Sequence, residues 1–154
     1  MTSDTQRQTS RVEQAVACFQ EGFSCSQAVL VTFAPQLGLD RDLALKVSGA
    51  FGAGMGRMGE TCGAVTGAFM VIGLLHGRTR AEDQETKEKA YALVAELADQ
   101  FRQRHGSLKC RELLGCDLGT PEGQQVAHDH GLSATRCTVF VRDAAEIVER
   151  MLGC

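Results

Sequence analysis

CGAVTGAFMVIGLLH, residues 62–76, is the stretch on which the fold turns. Read as a helix, it is apolar on every side, and such a helix belongs at the centre of a bundle. Its most apolar part, roughly residues 64–75, includes Thr66 and falls short of the ~20 residues needed to cross a bilayer. Gly63 and Gly67 are four apart and share a face. They leave a bare strip where a second helix can come close.

Working outward, the flanking segments also read as helices, giving an all-α fold of about six to eight helices around this central one. Upstream, Val12, Ala15, Val16 and Phe19 recur at helical spacing and Gly22 suits a stop. Ser24 with Gln27 has the form of a capping box, opening a helix from Cys25 to about Phe33 that Pro35 ends. Asp40 caps a third helix through Leu43, Leu45 and Val47. Downstream, Thr79 with Glu82 reads as a second capping box. It precedes a long helix striped by Tyr91, Val94, Leu97, Ala98 and Phe101, which stops near Gly106. Ser107 starts a short helix ending at Gly115, and Thr120-Pro121-Glu122 starts another. Ser133 begins the last helix, with Cys137, Val141, Ala144, Val148 and Met151 on one stripe. No strand pattern competes, and there is no repeat or low-complexity linker. Residues 1–154 read as a single helical domain, with 1–8 as a disordered N-terminal tail.

Composition narrows the function. The 154 residues are 44% hydrophobic, with no Trp and one Tyr, and carry a formal charge of −3. No basic face is gathered for phosphate contacts, so nucleic acid is not an expected partner. No signal-peptide or membrane segment is evident, and the expected compartment is the cytoplasm. Seven cysteines are many for a reducing compartment, where they point to redox or metal chemistry more than to structural disulfides.

Four of the seven fall at predicted helix starts. Ser24 precedes Cys25 and Thr61 precedes Cys62, while Ser107 lies three residues before Cys110 and Ser133 four before Cys137. First-turn N–H groups are free, and the peptide dipoles sum to partial positive charge there. That environment favours a thiolate, the species that attacks disulfides and binds metals. Each cysteine taken singly also reads as an ordinary small core residue; the recurrence at four helix starts favours chemistry. Of the others, Cys18 reads as core, Cys116 as structural or as a resolving thiol near Cys110, and Cys154 as exposed.

Cys25, then Cys62-Gly63-Ala64-Val65-Thr66-Gly67, then Cys110, then Cys137 resembles the C_GCAxxG_C_C family of redox-active proteins. The resemblance extends over most of residues 12–152. It takes in FSCSQAVL, the glycine-rich run before Cys62, SLKCRELLG and the late cysteine before a terminal helix. The family label reads Gly-Cys-Ala where this chain reads Thr61-Cys62-Gly63-Ala64. The resemblance implies a small protein whose four cysteines act in redox or metal chemistry. It implies no substrate.

Other signals carry less. Gly54-Met55-Gly56-Arg57-Met58-Gly59 fits G-x-G-x-x-G, but a helix rather than a strand precedes it, so it lacks the dinucleotide-binding context. It reads instead as a tight glycine loop that brings the backbone close to another element and helps expose Cys62. His76, His105, His128 and His130 read as surface residues rather than ligands. The charges between Arg78 and Lys89 read as a solvated helix face.

Three functions stay open at this level. The first is thiol–disulfide exchange or electron transfer, with Cys25–Cys62 as one pair and Cys110–Cys137 as the second. It would act on a redox partner or a small molecule that the sequence does not name. The second is zinc or an iron–sulfur cluster held by the same four cysteines, although no C-x2-C pair is present. The third is a non-catalytic helical module. A homodimer is an open possibility if the central helix is not covered within one chain.

Overall fold

The computed structural model describes residues 10–154, so the segment 1–8, expected to be a tail, lies outside the described residues. Among the described residues the regular structure is helical: α1 (Arg11–Gln20), α2 (Cys25–Phe33), α3 (Arg41–Ser48), a short turn α4 (Gly52–Met55), α5 (Gly63–His76), α6 (Gln84–His105), α7 (Cys110–Leu114), α8 (Pro121–Asp129) and α9 (Thr138–Leu152). The one extended feature is an antiparallel bridge between Thr61 and Lys109. No helix there is long and apolar enough to cross a membrane.

The apolar stretch behaves as its composition requires. Helix α5 packs on α2, α6 and α9, and residues 62–68, with Val71 and Ile72, are buried. The two glycines set the depth of the α2 contact. A Cβ on Gly67 would stand 2.8 Å from the Ser26 carbonyl oxygen, and one on Gly63 would collide with the Cys25 sulfur. Backbone therefore meets backbone where α5 crosses α2. Toward its C-terminus α5 emerges from the core, and Leu75 is 37% exposed.

Around this axis, Phe33, Leu30, Ile72, Leu97, Phe101, Ile147 and Val148 are fully buried in one core. Each such side chain contributes about 1.5–3 kcal/mol relative to leaving it in water. Buried polar groups are satisfied. Ser26 Oγ donates to the Ser48 carbonyl at 2.8 Å, and Ser48 Oγ to Ala44 at 2.7 Å. Gln27 Nε2 donates to Leu45. Together these tie α2 to α3.

Several boundaries differ from the sequence expectation. The long helix α6 starts at Gln84, capped by Asp83 rather than by a Thr79–Glu82 box. Asp83 accepts from the amide and hydroxyl of Thr86 at 3.1 and 2.7 Å, and one carboxylate taking both donors outcompetes the earlier threonine. Tyr91 leaves the predicted stripe and is 61% exposed, because the first half of α6 extends beyond the core and only Leu97, Ala98 and Phe101 are buried. Cys154 is half-buried against the core rather than exposed. His105 is also no surface residue: its Nε2 lies 2.7 Å from Asp143, and its ring packs against Phe101 and Phe140.

Candidate functional site

The site begins at the start of α2. Ser24 and Gln27 form the capping box the sequence suggested, with the Ser24 amide donating to Gln27 Oε1 at 3.0 Å and the Gln27 amide to Ser24 Oγ at 3.4 Å. This fixes Cys25 as the first helical residue. Its sulfur accepts hydrogen bonds from the Cys62 thiol and from the backbone amides of Ala53 and Ser26. The Cys62 hydrogen bond is the strongest influence, and with the amides it outweighs burial. The Cys25 thiol is pulled down from 9.0 to about 7. Charge-assisted bonds of this kind favour the anion.

The Ala53 amide reaches that sulfur because the glycine-rich segment winds the wrong way. Residues 53–57 all have positive φ, including the non-glycine residues Ala53 (57°), Met55 (66°) and Arg57 (73°). Left-handed backbone costs an L-residue roughly 1–2 kcal/mol, so the surroundings impose this turn. Gly54 lies against the α7 start, where an added Cβ would stand 2.7 Å from both Cys110 Cβ and the Glu60 nitrogen. The G-x-G-x-x-G pattern is thus a close-packed loop, as expected. It does not expose Cys62, which is 5% accessible.

Backbone pairing sets Cys62 beside Cys110. The Cys62 amide donates to the Leu108 carbonyl at 2.7 Å and the Cys110 amide to Glu60 at 2.7 Å, on either side of the Thr61–Lys109 bridge. Cys62 is the cap residue of α5, with φ −50° and ψ 133°, rather than its first residue. Cys110 opens a helix of five residues whose Lys109 cap makes no side-chain hydrogen bond, so Ser107 does not cap it. The last helix begins at Ser133, as expected, and Cys137 stands four residues inside it. A π-helical turn, Ser133–Cys137, runs without a break into α9. Arg136 anchors that turn by donating to the Leu113 and Leu114 carbonyls at 3.3 and 3.2 Å, at the open end of α7.

These local differences separate the thiols. The Cys62 thiol is pushed well above its usual value, first by donating its hydrogen bond to Cys25 and then by burial. Burial raises Cys110 to about 11 and Cys137 to about 12, with the neighbouring cysteines adding to both. Of the four thiols expected to be acidified, Cys25 alone is lowered. At Cys62 the Ala64 amide lowers the thiol, but the hydrogen bond with Cys25 and burial outweigh it; at Cys110 and Cys137 burial is the largest influence and no backbone donor opposes it.

What the four do share is a cavity. Cys25, Cys62, Cys110 and Cys137 line one space of about 290 Å³ together with Phe19, Phe23, Leu113, Leu132 and Phe140, and no charged side chain lines it. All seven cysteines are free thiols. Cys18 and Cys116 are half-buried and stand outside the cavity wall. Among the described residues, no group of three or more His, Cys, Asp or Glu side chains is arranged to hold a metal ion. Sequence reasoning missed the Ala53 amide. A backbone donor leaves no side-chain signature, and the only trace of it was the glycine density around it.

Four free cysteines lining one cavity of an all-helical protein set the class of protein to look for. Residues 23–151 match the family model described as "Putative redox-active protein (C_GCAxxG_C_C)", and the chain belongs to that family. No curated protein and no solved structure matches it.

Proposed function

We propose that this protein carries out thiol–disulfide chemistry with Cys25 as the attacking thiolate and Cys62 as its resolving partner. The observation that carries the reading is that Cys25 and Cys62 line one cavity, with the Cys25 sulfur packed against Gly63, the residue next to Cys62, and the two thiols interacting directly. Cys25 attacks one sulfur of a substrate disulfide, and a substrate thiolate leaves. Cys62, once deprotonated, attacks the Cys25 sulfur of the mixed disulfide. The Cys25–Cys62 bond forms and the second substrate thiolate leaves. Cys110 and Cys137, on the same cavity wall, serve as a second pair able to take up the disulfide. Seven free thiols suit a reducing cytoplasmic setting, and the shared core suits one domain over residues 1–154.

The test is oxidation with diamide followed by non-reducing peptide mapping, beside iodoacetamide labelling across pH. A dominant Cys25–Cys62 crosslink and a Cys25 labelling midpoint near 7 are the expected results. Labelling of Cys25 only above pH 8.5, with no such crosslink, overturns the reading.

A further inference from the structure

Building on the assignment of Cys25 and Cys62 as a reactive pair, we infer that the cavity admits a small, uncharged organic hydroperoxide and reduces it at Cys25. Access is the first argument. Cys62 and Cys110 are 5% and 7% exposed and Cys25 is half-buried, so the pair is approached through the cavity, which suits a small molecule better than a disulfide held on a folded protein. Size is the second: about 290 Å³ sits at the bottom of the range for small-molecule sites. Charge is the third. Apart from the cysteines and two serines the wall is aromatic and aliphatic, with no Asp, Glu, Lys, Arg or His, and a carboxylate on the substrate would be buried without a cation and beside the Cys25 thiolate, at high cost.

The proton balance then selects among small electrophiles. Cleaving a disulfide releases a thiolate, which is a weak base. Cleaving a hydroperoxide releases an alkoxide, a much stronger base that needs a proton as the O–O bond breaks. A proton donor stands at the reacting sulfur, in the Cys62 thiol hydrogen-bonded to Cys25. The Cys25 thiolate attacks the outer oxygen, the S–O bond forms and the O–O bond breaks. The alkoxide takes the Cys62 proton and leaves as the alcohol. The new Cys62 thiolate attacks the sulfenic sulfur of Cys25, the S–S bond forms, and hydroxide leaves. Two thiols are oxidised, and the hydroperoxide accepts two electrons. A small external dithiol returns those electrons by two exchanges.

The experiment follows thiol loss in the pre-reduced full chain by stopped flow with tert-butyl hydroperoxide, hydrogen peroxide, dimethyl disulfide and oxidised glutathione. Because burying the alkyl group contributes binding in an apolar pocket, tert-butyl hydroperoxide is expected to react about tenfold faster than hydrogen peroxide. It should yield one alcohol per Cys25–Cys62 bond. Ala127→Leu, which fills the cavity from α8, should lower that preference, and Leu132→Ala gives a second variant that reshapes the same wall. Hydrogen peroxide as the faster oxidant, or dimethyl disulfide faster than the hydroperoxide, overturns the inference. If diamide still closes the Cys25–Cys62 bond while hydroperoxides leave the thiols intact, the substrate inference fails and the thiol reading stands. If neither reagent joins the two residues, both fail.

Discussion

Cys25 and Cys137 look into the same cavity from different helices, and the sequence suggested the same environment for both. At Cys25 the helix does begin, its cap is closed by Ser24 and Gln27, and a second segment delivers the Ala53 amide to the sulfur. At Cys137 a π-helical turn continues into α9, and burial has no opposing donor, so the thiol rises to about 12. The contrast shows that position along a helix does not by itself activate a cysteine. Activation needs unused donors that outweigh desolvation, and those come here from a neighbouring thiol and a strained loop.

The largest effect that would break this contrast is at Cys25 itself. A thiol with its pKa near 7 is about half ionised at neutral pH, against roughly one per cent for one near 9. Cys25→Ser should therefore cut the fastest iodoacetamide labelling at pH 7 by about fifty-fold. Equal labelling of the variant would mean that another cysteine is the reactive one. Cys62→Ala sharpens the point by removing the strongest donor. The Cys25 labelling midpoint should move up from about 7 toward 9.0, and a midpoint that stays put would assign the activation to the amides alone.

Gly63→Ala tests whether the close approach of α5 to α2 holds the Cys25 sulfur in place. The new Cβ would collide with that sulfur and crowd the Phe51 carbonyl and Ser26 amide, each 3.2 Å away. The expected loss, read by urea unfolding, is about 1–3 kcal/mol, with a raised Cys25 midpoint. An unperturbed midpoint would show that the sulfur can shift without losing its donors.

The other side of the contrast predicts a pH effect. The unfolded Cys110 and Cys137 thiols ionise near 9.0, whereas the folded ones hold their protons to about 11 and about 12. Raising the pH through that window releases protons mainly from the unfolded chain, so stability falls from about pH 9 upward. Cys25 has the opposite sign. Its pKa is lower when folded, so its contribution is complete above 9.0 and is lost as pH falls through about 7. The Cys110→Ala, Cys137→Ala double variant should flatten the alkaline decline in chemical denaturation, whatever its stability at pH 7. The smallest effect is at Ala53, where φ is 57°. Ala53→Gly should relieve about 1 kcal/mol of left-handed strain, measurable as a higher urea midpoint.

Much of this architecture was legible in the chain because it rests on local rules. An all-apolar helix has to be buried, Ser24 and Gln27 close their box within four residues, and Gly106 and Gly115 end helices in the left-handed conformation seen at φ 83° and 71°. The four cysteines were also legible as a set, and the structure gathers them on one cavity. Their individual character was not. Asp83 in place of Thr79 and Cys62 as a cap shift boundaries by one to four residues, and a thiol's surroundings change over even one residue.

The sequence by itself determined that this chain is helical, that residues 62–76 lie at its centre, and that Cys25, Cys62, Cys110 and Cys137 stand at or near the beginnings of helices. Those properties follow from side-chain periodicity, glycine placement and residue type. Which sulfur ionises was decided only by the tertiary structure. The deciding donors, the Cys62 thiol and the Ala53 amide, come from segments far along the chain that reach Cys25 through helix packing and a left-handed turn, and no local pattern encodes that meeting.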